Sequence, residues 1–133
     1  IIINFYFVII ILREVLRYHR NNVIWGKNMY IRLHKKRTKK YYREIVNLAI
    51  EETKNLMEMS PKVAIYASIY NQLVDIKQNI IEENKVFSRF ELYKRYSLGM
   101  IAVKNFDENA DEYAQKLIDS YGGTFDYNKM PEE

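Results

Sequence analysis

Between residues 38 and 121, apolar residues recur every three or four positions, which is the spacing of one face of an α-helix. This pattern predicts four helices, with the ranges 38–58, 61–84, 89–105 and 108–121. No window alternates between apolar and polar residues as a half-buried strand does. We therefore predict an all-α fold, a small four-helix bundle that is followed by an extended C-terminal tail.

Capping residues set the boundaries of the predicted helices. Ser60 and Pro61 predict the start of the second helix, because Ser accepts a bond from a free N–H and Pro lacks an N–H. Residues 88–91, Ser-Arg-Phe-Glu, match a capping box at the start of the third. Asp107 is the predicted N-cap of the fourth helix, and the glycine pair 122–123 is its predicted left-handed exit.

Tyrosine is the outlying residue type, with 12 in the chain. Five of the later tyrosines fall on the predicted apolar faces, and we expect them in the core: Tyr66, Tyr70, Tyr93, Tyr96 and Tyr113. The third helix is also expected to bury Leu98, Met100, Ile101 and Val103. The alternative is that some tyrosines form an exposed recognition patch, because tyrosine gives contact area at low entropic cost.

Charge is distributed unevenly along the chain, whose formal net charge is +4. A run of seven cations contains no acidic residue: Arg32, Lys35, Lys36, Arg37, Lys39, Lys40 and Arg43. From Glu44 onward, ten basic residues stand against sixteen acidic ones, a net charge of −6. We therefore divide the chain into a basic N-terminal arm over residues 29–37 and an acidic helical domain over residues 38–133.

Residues 1–28 are expected to lie outside this domain. The apolar stretch Ile1–Leu12 would span only ~18 Å as a helix, against a hydrocarbon core of ~30 Å. The codons of Trp25 and Gly26 give a run of G shortly before the ATG of Met29, which resembles a ribosome-binding site. We therefore expect residues 1–28 to be translated upstream sequence and the natural protein to start at Met29. The alternative is a truncated apolar anchor with its arginines on the cytoplasmic side.

The residue types needed for catalysis or metal binding do not converge in this sequence. The chain has no Cys, which excludes disulfides, thiolate zinc sites and a Cys nucleophile. His34 is the one histidine after residue 28, and nothing near it in the sequence offers a second metal ligand. No phosphate-binding loop, nucleophile elbow or His-Glu helix motif is present. We therefore expect no enzyme activity, no cofactor and no metal site.

Three short stretches resemble one known family. Residues 98–108 read Leu-Gly-Met-Ile-Ala-Val-Lys-Asn-Phe-Asp-Glu, and residues 112–117 read Glu-Tyr-Ala-Gln-Lys-Leu. Residues 72–76 read Gln-Leu-Val-Asp-Ile. The pattern resembles a family of small helical immunity proteins associated with type VI secretion effectors, whose best-known members neutralise NAD(P)+-hydrolysing toxins. The resemblance covers about residues 42–122.

The resemblance implies a cytoplasmic immunity protein that covers the cofactor cleft of a cognate toxin, encoded by an adjacent gene, without binding a cofactor itself. The acidic surface suits a basic toxin. The expected toxin-binding residues are polar side chains on the outer faces of the helices: Asp75, Glu82, Glu83, Arg95, Lys104, Glu108 and Asp111.

Two other classes of protein remain open from the sequence alone. One is a membrane-associated bacteriocin immunity protein, also commonly a small helical bundle, in which the basic arm lies on anionic lipid. The other is a small nucleic-acid-binding regulator, in which the arm contacts phosphates.

Overall fold

The computed structural model describes residues 29–133, and a compact unit comprises Ile31–Glu133. Its α-helices are α1 (Lys39–Met59), α2 (Ala64–Ile76), α3 (Arg89–Arg95), α4 (Leu98–Asn105) and α5 (Glu112–Gly122). α2 continues as a π-helix over Lys77–Glu82. Short 3-10 turns precede and follow the α-helices, at Leu33–Lys35, Gly123–Phe125 and Tyr127–Lys129. No strand occurs within residues 29–133, so the all-α prediction is confirmed. The predictions for residues 1–28 lie outside the described residues.

α1 organises the core, because it packs against both α2 and α5, and α4 in turn packs against α5. The buried apolar residues of α1 follow the predicted helical spacing: Tyr42, Ile45, Val46, Ala49, Ile50 and Leu56. Burying one large apolar side chain contributes about 1.5–3 kcal/mol, so this face supplies much of the driving force for folding. None of the described helices combines the length and apolar character that a membrane crossing requires.

The starts of α2 and α5 differ from the prediction. Ser60 is the C-cap of α1 and donates its N–H to the carbonyl of Leu56 at 2.9 Å, so it does not cap the next helix. α2 begins only at Ala64, after a turn that is closed by a bond from Val63 N to Ser60 O. Asp107 likewise accepts a bond from Asn109 N inside a turn, and α5 begins five residues later at Glu112. In both places the residue that the sequence predicts as an N-cap forms hydrogen bonds within the turn before the helix.

The predicted third helix is two helices, α3 and α4. The capping box at Ser88 is confirmed, with Glu91 N donating to Ser88 Oγ and Ser88 N to Glu91 Oε1. The helix ends at Tyr96, which has an extended backbone (φ −125°, ψ 138°). This break shifts the helical register, so two side chains predicted for the core are exposed: Tyr93 by 55% and Met100 by 62%.

Two smaller corrections concern α4 and the end of α5. Val103, also predicted for the core, is 53% exposed. The glycine pair does not form a left-handed exit, since Gly122 has φ −59° and Gly123 has φ −69°. Gly123 is instead needed for space, because a Cβ there would lie 2.2 Å from a ring carbon of the buried Tyr42.

The basic N-terminal residues are folded against α5 and the C-terminal tail. Arg32 donates two hydrogen bonds to Asp119, each 3.0 Å long, and the backbone N–H of Leu33 donates a third. Three more cations pair with carboxylates of the tail: Arg37 with Asp126, Lys40 with Glu133, and Arg43 with Glu132. Four of the seven cations are therefore neutralised in place, and phosphate binding by them would have to break ion pairs.

The C-terminal tail also caps the first helix through its backbone. Lys39 N donates to the carbonyl of Pro131 at 2.8 Å, and Lys40 N donates to that of Glu132 at 3.2 Å. These are two of the N–H groups that have no partner inside a helix at its N-terminus. The tail is therefore two 3-10 turns and a short docked end, held by main-chain bonds and ion pairs.

Glu132 makes the docking of the tail dependent on pH. The hydrogen bond from Arg43 lowers the pKa of the Glu132 carboxyl below its ordinary value of 4.5. Because the folded pKa is the lower one, this contact stabilises the docked tail above pH 4.5 and is lost as the pH falls through the folded pKa. We expect Glu132→Gln to increase backbone motion of residues 131–133 at pH 7 and to make no difference at acid pH.

Backbone ¹⁵N relaxation at the two pH values measures this motion. Glu58→Gln, an exposed carboxylate near the other end of α1, is the control for the change in charge. A Glu132→Gln tail as rigid as the wild-type tail at pH 7 would contradict the prediction.

Candidate functional site

Asp75 and Arg95, two of the predicted binding residues, lie together where α2 meets α3. Asp75 Oδ1 accepts bonds from Arg95 Nε at 3.1 Å and Arg95 Nη2 at 2.9 Å. The same oxygen accepts from the hydroxyl of Tyr96 at 3.1 Å and from Asn79 Nδ2 at 2.6 Å. Both members of the ion pair are partly exposed. Asp75 therefore ties the end of α3 to α2 and holds the guanidinium in one orientation.

Two groups of this network, the Tyr96 hydroxyl and the Arg95 guanidinium, keep their protons at neutral pH. Burial raises the pKa of the Tyr96 hydroxyl to about 12, so the hydroxyl remains a hydrogen-bond donor. The hydrogen bond with Asp75 raises the pKa of the Arg95 guanidinium. The network is thus suited to positioning α3.

Gln72 makes a second connection from α2 to the junction of α3 and α4. Its Oε1 accepts from the backbone N–H of Ser97 at 2.7 Å, and its Nε2 lies 3.1 Å from Ser97 Oγ. Leu73 and Ile76 of the same stretch are fully buried. The sequence at residues 72–76 therefore combines two core residues with two polar residues that hold the break between α3 and α4. Residue spacing alone did not reveal this function.

The other predicted binding residues are spread over the end of the π-helix, α4 and the turn before α5. Glu82 and Glu83 end the π-helix and are exposed, and Glu83 pairs with Lys85 at 3.5 Å. Lys104 is exposed in the last turn of α4. Glu108 is exposed in the turn before α5, where its carbonyl accepts a bond from Gln115.

Asp111 differs from the rest of the predicted set because it is buried, with 6% of its surface exposed. Its carboxylate accepts from the backbone N–H of Tyr113 at 2.9 Å and caps α5. This is the capping function that the sequence assigned to Asp107. A contact between Asp111 and a partner stays a prediction, but its carboxylate is already used inside the fold.

A row of aromatic side chains runs from α3 to the end of α5 and the turn that follows it, and we call Phe90, Tyr93, Phe125 and Tyr121 the aromatic seam. The rings of Tyr93 and Phe125 are 5.4 Å apart, and those of Phe125 and Tyr121 are 5.3 Å apart and perpendicular. Phe90 lies three residues before Tyr93 on α3, so the two side chains share one face of that helix. Sequence reasoning missed the seam, since Tyr93 was assigned to the core across a helix break that the pattern did not show.

Cations and a glycine complete the surroundings of the seam. The Arg89 guanidinium lies 5.1 Å from the centre of the Phe125 ring and 5.9 Å from that of Tyr93. Lys94 Nζ lies 4.6 Å from the Phe90 ring, which is 66% exposed. A Cβ at Gly99 would lie 3.1 Å from the Tyr121 ring, so glycine lets this ring lie close against α4. The Tyr121 and Phe125 rings of the seam are thus half-buried and held by their neighbours, and the Phe90 and Tyr93 rings are exposed to solvent.

Groups suited to metal binding do not gather in the part of the chain that the structure describes. No three His, Asp or Glu side chains there are placed to hold an ion. His34 is exposed in the first 3-10 turn.

Comparison with protein families assigns most of the described chain to a family. The Tsi6 family model matches residues 41–126. This range runs from the first turns of α1 to Asp126, so it contains α2 to α5 and the aromatic seam. It also includes Gln72 and Asp75, which hold the α3–α4 junction, and Asp111, which caps α5. No curated protein and no solved structure matches the chain.

Proposed function

We propose that this chain, which belongs to the Tsi6 family of type VI secretion immunity proteins, binds a cognate toxin in the cytoplasm and inhibits it sterically. The observation that carries the proposal is the family match over residues 41–126, the range that forms the helical bundle. The toxin that we propose is an NAD(P)+ glycohydrolase. Inhibition would then consist in covering its cofactor cleft, with no cofactor on the immunity protein.

An inhibitor of this kind needs a surface that is rigid before it binds, because ordering side chains and loops on binding costs affinity. The bundle has internal polar contacts that give such rigidity. Lys116 pairs with Glu52 at 2.6 Å, and the hydroxyls of Thr53 and Tyr113 are 2.7 Å apart inside the core. Asp75 and Gln72 hold the position of α3 and α4 in the same way.

We propose that the exposed polar residues of the predicted set lie at the rim of the interface. Glu82, Glu83 and Glu108 add negative charge, and Lys104 adds a positive charge. Rim charges chiefly steer the encounter between two proteins and set its dependence on salt. Asp75 and Arg95 act differently, since their mutual ion pair positions α3.

Reversing the acidic rim is expected to slow association with the toxin. The triple substitution Glu82→Lys, Glu83→Lys and Glu108→Lys should lower the association rate constant about tenfold at low salt, and less at high salt. Asp111 is left unchanged because it caps α5. Stopped-flow or surface plasmon resonance with the purified toxin measures the rate.

The control reverses three exposed glutamates of α1, namely Glu44, Glu51 and Glu58, and thereby makes the same change in net charge. This variant should keep an association rate within about twofold of wild type, because the charge lies elsewhere. Equal slowing by the two triple variants would mean that net charge acts and that the rim does not.

Affinity capture with the tagged chain from its own cells tests the function itself. Moderate salt should leave one stoichiometric protein bound. That protein should arrest growth when it is expressed alone and should cease to do so when the chain is co-expressed. Recovery of nucleic acid or of membrane components without such a protein would contradict the proposal and favour one of the two other classes.

A further inference from the structure

We propose that the aromatic seam anchors the toxin, and that the toxin segment bound there is apolar and carries carboxylates at its edge. This inference rests on the proposed function, since it identifies which residues form the centre of the proposed interface with the toxin. It places the largest part of the binding free energy on α3, α4 and the turn after α5, and not on the acidic residues.

The first support is the concentration of exposed apolar surface. Five exposed large hydrophobic side chains lie within eighteen residues of the chain: Val86, Phe90, Tyr93, Met100 and Val103. Those exposed elsewhere between residues 31 and 133 are scattered along α1, α2 and the N-terminal segment. Aromatic residues, Met and Arg are the types enriched at the centres of protein interfaces, and Tyr and Arg recur among the residues that dominate affinity.

The second support is that the seam is fixed in place before any partner arrives. Tyr93 packs against Phe125, and the Tyr121 ring is held between Phe125 and Gly99. Arg89 also donates a hydrogen bond from Nε to the Tyr93 hydroxyl at 3.1 Å. A surface already ordered in this way loses little side-chain entropy when it binds.

The third support is a difference in how the arginines are paired. Arg32, Arg37, Arg43 and Arg95 each form an ion pair with a carboxylate. Arg89, which borders the seam, is the one arginine of residues 29–133 that forms no ion pair within that range; Lys94, which also borders the seam, and Lys104, one turn after Met100, share this lack of an ion pair with several other lysines of the range. In a chain whose body carries a net charge of −6, these three cations are complementary to carboxylates supplied by the partner.

Binding of seam variants to the purified captured toxin tests the inference. Wild type and variants are titrated into the toxin by isothermal calorimetry, and helix content and unfolding midpoint are checked for each. The double substitution Phe90→Ala, in the seam, and Met100→Ala, the exposed α4 residue that follows Gly99, should weaken binding at least about tenfold, as expected for anchoring side chains. Arg89→Glu should weaken it by a similar factor, and Arg89→Lys by less.

Leu48→Ala together with Met59→Ala is the matched control, since both side chains are exposed and apolar but lie on α1. Its dissociation constant should stay within about twofold of wild type. If wild type binds the toxin and the seam variants bind equally well, the inference is wrong and the proposed function stands. If wild type neither binds nor inhibits the toxin, both fall.

A second copy of this chain is the alternative binding partner for the apolar seam. Sedimentation velocity of the wild-type chain detects it. A monomer over the micromolar range is the expected result, whereas a dimer that Phe90→Ala and Met100→Ala dissociate would overturn the assignment of the seam to the toxin.

Discussion

Replacing Gly123 by alanine is expected to destabilise the protein by about 3 kcal/mol, the upper end of the usual cost of overpacking. The added Cβ would lie 2.2 and 2.5 Å from two ring carbons of Tyr42. This ring has no free space, because Tyr42 is fully buried, donates its hydroxyl to the carbonyl of Ser120, and packs on Tyr127. The backbone angle itself is acceptable to alanine, with φ −69°, so the whole effect is steric.

Gly122 provides a control at the neighbouring position. A Cβ there meets nothing within 4 Å, and its φ of −59° is helical. Alanine at 122 should therefore stabilise the protein by roughly 0.5–1 kcal/mol, because it lowers the entropy of the unfolded chain. Urea unfolding of both variants measures the two effects. Equal effects at the two positions would contradict the close contact between Gly123 and Tyr42.

The second large effect is expected at the pair of Glu52 and Lys116. Glu52→Leu removes the carboxylate that lies 2.6 Å from the Lys116 ammonium, whose side chain is only 7% exposed. Removing one partner of a buried pair typically costs 3–5 kcal/mol, because the remaining charge stays desolvated. Glu52 itself is 19% exposed, so we expect a loss at the low end, about 3 kcal/mol.

The double variant Glu52→Leu and Lys116→Met distinguishes the attraction between the two charges from the cost of burying one charge alone. Replacing both charges by apolar groups should restore most of the lost stability, since well-packed hydrophobic residues often replace a buried pair at little cost. A double-mutant cycle by chemical unfolding gives the coupling free energy. If the double variant lost as much free energy of unfolding as the two single variants lose together, the two charges would not be coupled.

The sequence correctly predicts the features that depend only on residues close together in the chain. The apolar face of α1 is the one expected, and the capping box of α3 is present at Ser88. The prediction failed where a distant residue decides the structure. The break at Tyr96 is held by Gln72 and Asp75, which lie on another helix, and no local pattern shows that.

The same reason explains what sequence reasoning could and could not find in the candidate site. The sequence predicts Asp75 and Arg95 as separate surface residues, and only the packing of α2 on α3 joins them in one ion pair. Helical spacing that is continued across the break predicts Tyr93 in the core. The sequence predicts a left-handed turn at Gly123, although the close neighbour of this glycine is Tyr42 on the first helix.

Inhibition of the captured toxin by the immunity protein tests the central claim most directly. NAD+ hydrolysis by the purified toxin is measured while the full chain is added in increasing amounts, and cofactor binding is followed in the same mixtures. Steric occlusion predicts that activity falls linearly to zero at a ratio of one chain to one toxin, and that the inhibited toxin no longer binds NAD+. Full hydrolysis in the presence of excess bound chain would contradict the account.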